Sequence, residues 1–326
     1  MNSPTDNALD RVLVLEMVRV TEAAAVAASK LIGRGDEKAA DAAAVEAMRK
    51  AFDTLDMDGT VVIGEGERDE APMLYIGEKV GGSIGTGPKI DIALDPLEGT
   101  TITAKAGPNA LAVLAAAEQG NLLNAPDTYM DKLAVGPGYP EGVIDLRKSP
   151  SENVKAVAAA KGVQPSDIIV CVLDRPRHAA LIAELRGLGC GVVLIGDGDV
   201  AGVIAVTDPD TTIDMYMGSG GAPEGVLAAA ALRCVGGQFN GRLIFRNEDE
   251  KARARKWGIP DADFDRIYLR DDLVKGDCIF AATGVTSGSL LDGVKYTRDG
   301  KMTTESVVMR ASSGTVRWIK GEHRAR

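Results

Sequence analysis

The sequence contains almost no histidine: His178 and His323 are the two that occur among 326 residues. A metal centre built from several histidines is therefore excluded. Mg²⁺ and Mn²⁺ prefer hard oxygen ligands, so a site for either ion would have to be built from Asp and Glu side chains.

Cysteine is also scarce, and its four occurrences are far apart. The close cysteine pairs that build a zinc site or a redox dithiol are missing, and the spacing predicts small buried apolar residues in a reducing compartment. The four are Cys171, Cys190, Cys234 and Cys278.

The chain lacks both a long hydrophobic run and an excess of positive charge. No stretch approaches the length of a membrane span, and the N-terminus, which opens with Ser3, Pro4 and Asp6, lacks the basic and apolar segments of a signal peptide. We therefore expect a cytoplasmic protein without a membrane partner. The 37 basic and 47 acidic residues give a net charge of −10, which argues against a nucleic-acid partner. A phosphorylated substrate stays compatible, because divalent cations held by carboxylates would invert the local charge.

What the chain does contain is typical of a globular α/β protein. Hydrophobic residues make up 45% of it, and its length exceeds the size at which a single core stops growing, so we expect two closely packed lobes. Helical spacing and β-branched runs alternate along the chain, which predicts an α/β fold. The predicted helices cover residues 9–32, 39–55, 176–187, 199–206, 223–235 and 247–256. The predicted strands cover residues 60–63, 90–94, 168–173, 192–195 and 214–217, with a hairpin formed by 111–117 and 122–123.

Two acidic segments follow directly after predicted strands. Gly64-Glu65-Gly66-Glu67-Arg68-Asp69-Glu70 follows the first strand, and Asp95-Pro96-Leu97-Glu98-Gly99-Thr100 follows the second. Each segment alone would be an ordinary solvated turn. Together, with Pro and Gly fixing the backbone, they favour a carboxylate cluster for two divalent cations, which is the arrangement that phosphate-ester hydrolysis by water requires.

The second segment resembles the Asp-Pro-x-Asp/Glu-Gly-Ser/Thr signature of the lithium-sensitive, metal-dependent phosphatases. With further segments, the chain resembles a class II fructose-1,6-bisphosphatase over nearly its whole length. This resemblance implies a layered sugar-phosphatase fold, an α/β/α/β/α sandwich with two closely packed lobes. Those further segments are Gly33-Arg34-Gly35-Asp36, Gly64-Glu65-Gly66-Glu67, the run from Asp69 to Glu78, Asn124-Ala125-Pro126-Asp127, Arg175-Pro176-Arg177-His178, Asp197-Gly198-Asp199 and Gly220-Gly221-Ala222-Pro223-Glu224-Gly225.

The resemblance also implies residue roles. Asp41 and Glu65 would hold one metal ion, Mn²⁺ or Mg²⁺, and Asp95, Glu98 and Glu224 would hold or approach the second. Thr100, with Asp69 or Glu67, would activate the attacking water. The implied substrate contacts are Glu98, Gly99, Thr100, Tyr129, Arg175, Pro176, Arg177, Asp197, Gly198, Asp199 and Gly221.

The implied activity is hydrolysis of the 1-phosphate of fructose 1,6-bisphosphate, in gluconeogenesis or the reductive pentose phosphate cycle. Residues 1–147 would form the metal-binding catalytic lobe and residues 148–326 the α/β sugar-phosphate-binding lobe. We expect a homo-oligomer, either dimer or tetramer, with a small-molecule sugar bisphosphate as partner. A dual fructose/sedoheptulose bisphosphatase, an inositol-phosphate phosphatase and a non-catalytic sugar-phosphate-binding regulator stay open as alternatives.

Two other patterns point weakly to different chemistry. Cys171 and Arg177 match the bare Cys-x5-Arg spacing of cysteine phosphatases, but the cysteine lies within an apolar strand, where its pKa should rise. Gly196-x-Gly198-x-x-Ala201 mimics a dinucleotide fingerprint, but Asp197 and Asp199 within it would repel a pyrophosphate.

Overall fold

The computed structural model describes residues 9, 11–65, 73–208 and 211–324, with the side chains of residues 11 and 12 left out. Short 3₁₀ turns occur at residues 165–167, 176–178, 205–207 and 261–263. The helices are α1 (Arg11–Ser29), α2 (Glu37–Phe52), α3 (Thr100–Ala104), α4 (Pro150–Lys161), α5 (Ala179–Gly187), α6 (Asp199–Ile204), α7 (Ala222–Val235), α8 (Glu248–Lys256) and α9 (Arg270–Leu273). The strands are β1 (Asp58–Ile63), β2 (Lys79–Val80), β3 (Lys89–Glu98), β4 (Leu111–Glu118), β5 (Tyr129–Val135), β6 (Ile169–Leu173), β7 (Gly191–Ile195), β8 (Met215–Gly221), β9 (Gln238–Ile244), β10 (Ile267–Leu269), β11 (Cys278–Gly284), β12 (Lys295–Tyr296), β13 (Lys301–Arg310) and β14 (Thr315–Arg324).

The chain divides into two compact units. Unit 1 consists of Met1–Leu123 and Lys275–Arg326, and unit 2 consists of Asn124–Val274. Each unit has one mixed sheet with helices, so the α/β class predicted from the sequence is confirmed. Of the described helices, none combines the length and the hydrophobicity that crossing a bilayer requires.

Unit 1 is built on a sheet with the strand order β12-β13-β11-β4-β3-β1-β2, and β14 pairs with β13. Residues Leu111–Ala117 of β4 are all buried, which is the pattern of a strand covered on both faces. Alternate residues of β3, such as Ile90, Ile92 and Leu94, pack into the same core as the apolar faces of α1 and α2. The two long helices therefore cover the face of the sheet that this core occupies.

The division differs from the boundary that the sequence suggested at residue 147. Strand β11 pairs along its whole length with β4, from Cys278 opposite Ala117 to Gly284 opposite Leu111. Strands β11, β12, β13 and β14 thus belong to the sheet of unit 1. The predicted hairpin of 111–117 with 122–123 is also wrong, because β4 pairs with β3 and β11 instead.

Unit 2 is built on a sheet with the order β10-β9-β5-β8-β6-β7. Strands β6 and β7 run parallel with α5 between them, and β6 is also parallel to β8, as the alternation of strands and helices predicts. Residues of α4 and α5, including Val154, Val157 and Leu185, pack against Leu133 and Met217 of the sheet. The predicted helix at 247–256 is present as α8, with Asn247 as its N-cap.

Candidate active site

Asp41 lies in the second turn of α2, and a glycine loop fixes the start of that helix. The backbone N–H groups of Gly33 and Gly35 donate to carbonyl oxygens of α3 at 2.9 and 3.0 Å. The Asp36 carboxylate then caps α2 by accepting from the N–H of Ala39 at 2.9 Å. The loop therefore ties α2, and with it Asp41, to the segment that follows β3.

Asp95 and Glu98 are brought together by a bulge in β3. The strand runs on through Glu98 rather than ending at residue 94, and its register against β4 shifts between these two acids. Pro96 within the bulge has no N–H to donate, and the N–H of Leu97 donates to the Asp95 carboxylate at 2.9 Å. A carboxylate oxygen of Asp95 and one of Glu98 consequently lie within 4.8 Å of each other.

Glu65 follows the carboxyl end of β1, on the same side of the sheet as the carboxyl end of β3. Strand β1 runs parallel to β3, so the carboxyl ends of the two strands, which carry Glu65 and Asp95, are neighbours. The N–H of Glu65 donates to the carbonyl of Leu74 at 2.9 Å. A Cβ at Gly64 would lie 2.2 Å from that same carbonyl oxygen, so only glycine permits this close approach.

The electrostatics of Asp41 reveal crowding of negative charge in unit 1. Burial, and second to it the charge of Asp95, raise the pKa of Asp41 from 3.8 to about 6. Carboxylates that are close, partly buried and mutually repulsive are the donor set that a hard divalent cation stabilises. Asp41, Asp95 and Glu98 thus fit a Mg²⁺ or Mn²⁺ ion by their chemistry.

This crowding predicts a pH-dependent gain in stability for the Asp41→Asn variant without metal. The pKa of Asp41 is raised by folding, so its ionisation destabilises the native state above about pH 6, and this penalty disappears as the pH falls towards 3.8. At pH 8 the variant should be more stable than the wild type by on the order of 1–2 kcal/mol, after discounting for solvent screening of the half-buried carboxylate. Urea unfolding in chelator at pH 8 and pH 4.5 measures the difference, and an equal gain at both pH values would contradict the assignment.

Thr100 follows the two acids of β3 directly. Gly99 adopts the left-handed conformation with a φ of 93°, and Thr100 is the first residue of α3 and is half-buried. The predicted catalytic partners Glu67 and Asp69 lie outside the described residues. Among the described residues of unit 1, Asp95 and Glu98 thus lie close together, and the charge of Asp95 acts on Asp41. Glu65 follows the neighbouring parallel strand β1, and Thr100 begins α3 directly after Gly99.

In unit 2, Tyr129 and Arg177 lie together. The Arg177 guanidinium carbon lies 5.0 Å from the centre of the Tyr129 ring. The same guanidinium donates through Nε and Nη2 to the carbonyl of Ser219 at 3.2 and 2.7 Å. Arg177 is thereby fixed between the first residue of β5 and the end of β8.

His178, next to Arg177, has a structural role. The N–H of Ser219 donates to its Nε2 at 2.8 Å, so the Nδ1–H donates to the Leu173 carbonyl, also at 2.8 Å. Burial lowers the pKa of His178. A neutral, buried histidine therefore joins β6 to β8 and holds the backbone beneath Arg177.

Arg175 and Asp197 form an ion pair at 3.3 Å, and both side chains are more than a third exposed. Pro176 is exposed in the following 3₁₀ turn. Gly198, between Asp197 and α6, has a φ of 77°. These residues can still reach a ligand, because an exposed ion pair is worth little and can be exchanged for other contacts.

Asp199 lies in a different environment, since it is 5% exposed and accepts from the buried Lys132 at 2.5 Å. The Tyr216 hydroxyl lies 3.5 Å from the same carboxylate. A Cβ at Gly220 would lie 1.9 Å from it, so β8 passes directly over the pair. The sequence did not single out Lys132, because nothing local distinguishes a lysine in a strand that becomes buried.

Gly221 and Glu224 lie at the start of α7. Gly221 is the N-cap, and a Cβ there would lie 2.0 Å from the Glu224 carboxylate. Glu224 is half-buried in the first turn, where a carboxylate favours the positive end of the helix dipole. This glycine therefore permits the carboxylate to fold back over the helix start.

A cavity of about 350 Å³ in unit 2 adjoins Arg177. Its walls also include Arg242 and Lys148, and Asp131, which accepts from Arg242 at 2.8 Å. The basic residues outnumber the acid, and the volume is in the range of small-molecule sites. The cavity can therefore take a small anionic molecule.

Neither the Cys-x5-Arg spacing nor the dinucleotide-like glycine pattern forms the site that it resembles. Burial and the nearby Asp199 raise the pKa of Cys171 to about 12, which removes it as a thiolate nucleophile. All four cysteines are buried thiols. The fingerprint-like glycines precede α6, and Asp199 in its first turn is already bound to Lys132.

Comparison with known proteins identifies relatives over nearly the whole length of the chain. The family model described as bacterial fructose-1,6-bisphosphatase, glpX-encoded, matches residues 11–323. The Escherichia coli K12 fructose-1,6-bisphosphatase 1 class 2 is 48% identical over 328 aligned residues, which cover 96% of this chain and 95% of that protein. The Shigella flexneri fructose-1,6-bisphosphatase class 2 matches equally, at 48% identity over 96% of this chain and 95% of its own.

A solved structure, an inositol monophosphatase from Anabaena (Nostoc) sp. PCC 7120, aligns at 14% identity with a TM-score of 0.32, covering 60% of this chain and 71% of its own. The resemblance drawn from the sequence motifs is confirmed by the family match, which spans both units. The chain belongs to the family of bacterial, glpX-encoded fructose-1,6-bisphosphatases.

Proposed function

We propose that this protein hydrolyses the 1-phosphate of fructose 1,6-bisphosphate, giving fructose 6-phosphate and inorganic phosphate. The observation that carries the proposal is the pair of acids at the end of β3: carboxylate oxygens of Asp95 and Glu98 lie within 4.8 Å of each other. Burial and the charge of Asp95 also raise the pKa of Asp41 to about 6. The two relatives at 48% identity bear the name of this activity.

The proposed metal ligands are all carboxylates. Asp41 and Glu65 would hold one Mn²⁺ or Mg²⁺ ion, and Asp95, Glu98 and Glu224 would hold or approach the second. Bound divalent ions neutralise the phosphate oxygens, lower the pKa of water and stabilise the leaving oxygen. Oxygen ligands accept either ion, so the proposal includes both Mn²⁺ and Mg²⁺.

The residues of the chain would share the remaining tasks. The Thr100 hydroxyl would orient the attacking water, and the carboxylate of Glu67 or Asp69 would accept its proton. Glu98 and Gly99, with Thr100, would contact the phosphate that is cleaved. In unit 2, Arg177 and Tyr129 would bind the sugar phosphate.

Loop residues would complete the substrate contacts of unit 2. Arg175, Pro176, Asp197 and Gly198 are accessible or lie beside accessible groups, and Gly221 offers the backbone at the start of α7. Asp199 is proposed as a positioning residue, because its carboxylate is buried against Lys132.

One assay tests the function. Phosphate release should be measured from fructose 1,6-bisphosphate, sedoheptulose 1,7-bisphosphate and inositol 1-phosphate, with Mn²⁺, with Mg²⁺ and with chelator. We expect release from the fructose ester with metal and none with chelator. A higher kcat/KM for sedoheptulose 1,7-bisphosphate or for inositol 1-phosphate would make that compound the substrate instead. Tight binding of fructose 1,6-bisphosphate without phosphate release would favour a non-catalytic regulator.

We further propose a cytoplasmic homo-oligomer, a dimer or a tetramer. The buried thiols support a reducing compartment. The edge strand β7 exposes Val193 and Leu194, at 36% and 38%, which supports self-association. Light scattering coupled to size-exclusion chromatography measures the molecular mass, and a monomer at micromolar concentration would contradict the proposal.

A further inference from the structure

A second arginine contacts the Tyr129 ring. The Arg246 guanidinium carbon lies 4.8 Å from the ring centre, and that of Arg177 lies at 5.0 Å. The two cations therefore share one aromatic ring, although they are separated by 69 positions in the sequence. The motifs singled out Tyr129 and Arg177 but not Arg246.

Arg246 is held in place by a buried acid on α8. Its Nε and its backbone N–H donate to the two oxygens of Glu250, each at 2.7 Å. Glu250 is 1% exposed and also accepts from the Thr128 hydroxyl at 3.1 Å. Thr128 precedes Tyr129 in the chain, so the same acid positions the arginine and the backbone next to the ring.

Both guanidinium groups keep donors for a ligand. Arg246 uses Nε and Nη2 for Glu250, and Arg177 uses Nε and Nη2 for Ser219. A guanidinium has five N–H groups. These contacts use two of them in each arginine, so three N–H groups of each arginine can donate to a ligand. Arg246 is 47% exposed, and an anion can therefore reach it.

The charges around the ring favour an anion. Arg177 is bound to a neutral carbonyl, and Arg246 to the negative charge of Glu250. Arg253 lies 4.0 Å from Glu250, and the charge of Asp127 acts on Arg246. Three arginines and two acids leave the group with one net positive charge. Rigidly held arginines bind phosphate oxygens with bidentate geometry.

We propose that Arg246 and Arg177 together bind the phosphate that the sugar keeps, the 6-phosphate of fructose 1,6-bisphosphate, with Glu250 as the positioning residue of Arg246. This inference rests on the proposed function for the identity of the substrate. A merely structural Arg246 would instead support Tyr129 and affect every substrate alike.

The test compares Arg246→Gln with the wild type on two substrates, fructose 1,6-bisphosphate and fructose 1-phosphate, which lacks the 6-phosphate. We expect kcat/KM for the bisphosphate to fall about 10- to 100-fold, mainly through KM, because one charged phosphate contact is lost. For fructose 1-phosphate the change should stay within about threefold, since that contact is never made. Equal losses on both substrates would overturn the proposal.

The matched control is Arg255→Gln, on helix α8, which also carries Glu250; it removes an exposed pair with Asp261 and should leave kcat/KM for both substrates unchanged. Arg246→Lys keeps the positive charge but loses the planar guanidinium that binds phosphate in a bidentate manner. Its kcat/KM for the bisphosphate should therefore lie between those of the wild type and Arg246→Gln. Glu250→Gln should raise KM for the bisphosphate more than for fructose 1-phosphate. Thermal unfolding shows whether each variant is folded.

A binding measurement separates this inference from the proposed function. Calorimetry of fructose 6-phosphate with the metal-free protein should show about tenfold weaker binding to Arg246→Gln than to the wild type. If the wild type releases no phosphate from either sugar but Arg246→Gln still binds fructose 6-phosphate more weakly, the proposed function is wrong and the phosphate contact of Arg246 is supported. If both proteins bind fructose 6-phosphate equally, the role of Arg246 fails whatever the activity.

Discussion

Replacing Asp95 by asparagine should lower kcat for fructose 1,6-bisphosphate by about 10³- to 10⁴-fold, because bound metal supplies several kcal/mol of transition-state stabilisation and the variant loses an anionic ligand. The fold should persist. An asparagine side-chain oxygen can still accept the hydrogen bond that Leu97 donates to Asp95 at 2.9 Å. Phosphate release with saturating Mn²⁺ measures the loss.

The same substitution should change the metal-free protein in the opposite direction. Asp95 raises the pKa of Asp41, so removing its charge lowers that pKa and relieves repulsion at pH 8. The variant should therefore unfold at a slightly higher temperature than the wild type in chelator, and gain less from added Mn²⁺. The exposed Asp299→Asn serves as control and should match the wild type. Turnover at the wild-type rate in Asp95→Asn would remove the proposed metal site.

Replacing Lys132 by methionine should destabilise the protein by about 3–5 kcal/mol, because it leaves the Asp199 carboxylate buried without its partner. The lysine side chain is 0% exposed and that of Asp199 is 5% exposed. Urea unfolding at pH 7.5 measures the loss. Lys50→Met, which removes an exposed pair with Glu46, should cost less than about 1 kcal/mol.

The double variant Lys132→Met, Asp199→Asn isolates the ion pair. It should recover most of the stability lost in the single variant, since no unpaired charge is then buried. Its KM for the bisphosphate should still be raised, because Asp199 is proposed to position the substrate-binding loop that contains Asp197. A single Lys132→Met variant as stable as the wild type would contradict the buried pair.

The sequence was sufficient for much of the site in unit 1. Strand β1, the beginning of β3 and helix α2 follow from hydrophobic spacing, and the acids Glu65 and Asp95 could be placed at strand ends on that basis. The bulge that brings Glu98 beside Asp95 could not be read in advance, because it depends on the register of β3 against β4. The roles of Asp41 and Glu224 came from resemblance alone, since a single acid in a helix carries no pattern.

By itself, the sequence determined the α/β class, most elements, the oxygen-ligand chemistry and the family, because these depend on spacing and residue type over a few neighbouring positions. Only the tertiary structure decided that strands β11 to β14 complete the first sheet, that Lys132 neutralises Asp199, and that Arg246 joins Arg177 at Tyr129. Each of these depends on contacts between residues about 50 to 170 positions apart. The burial and hydrogen bonds that fix such contacts arise when the whole chain packs, so no local pattern records them.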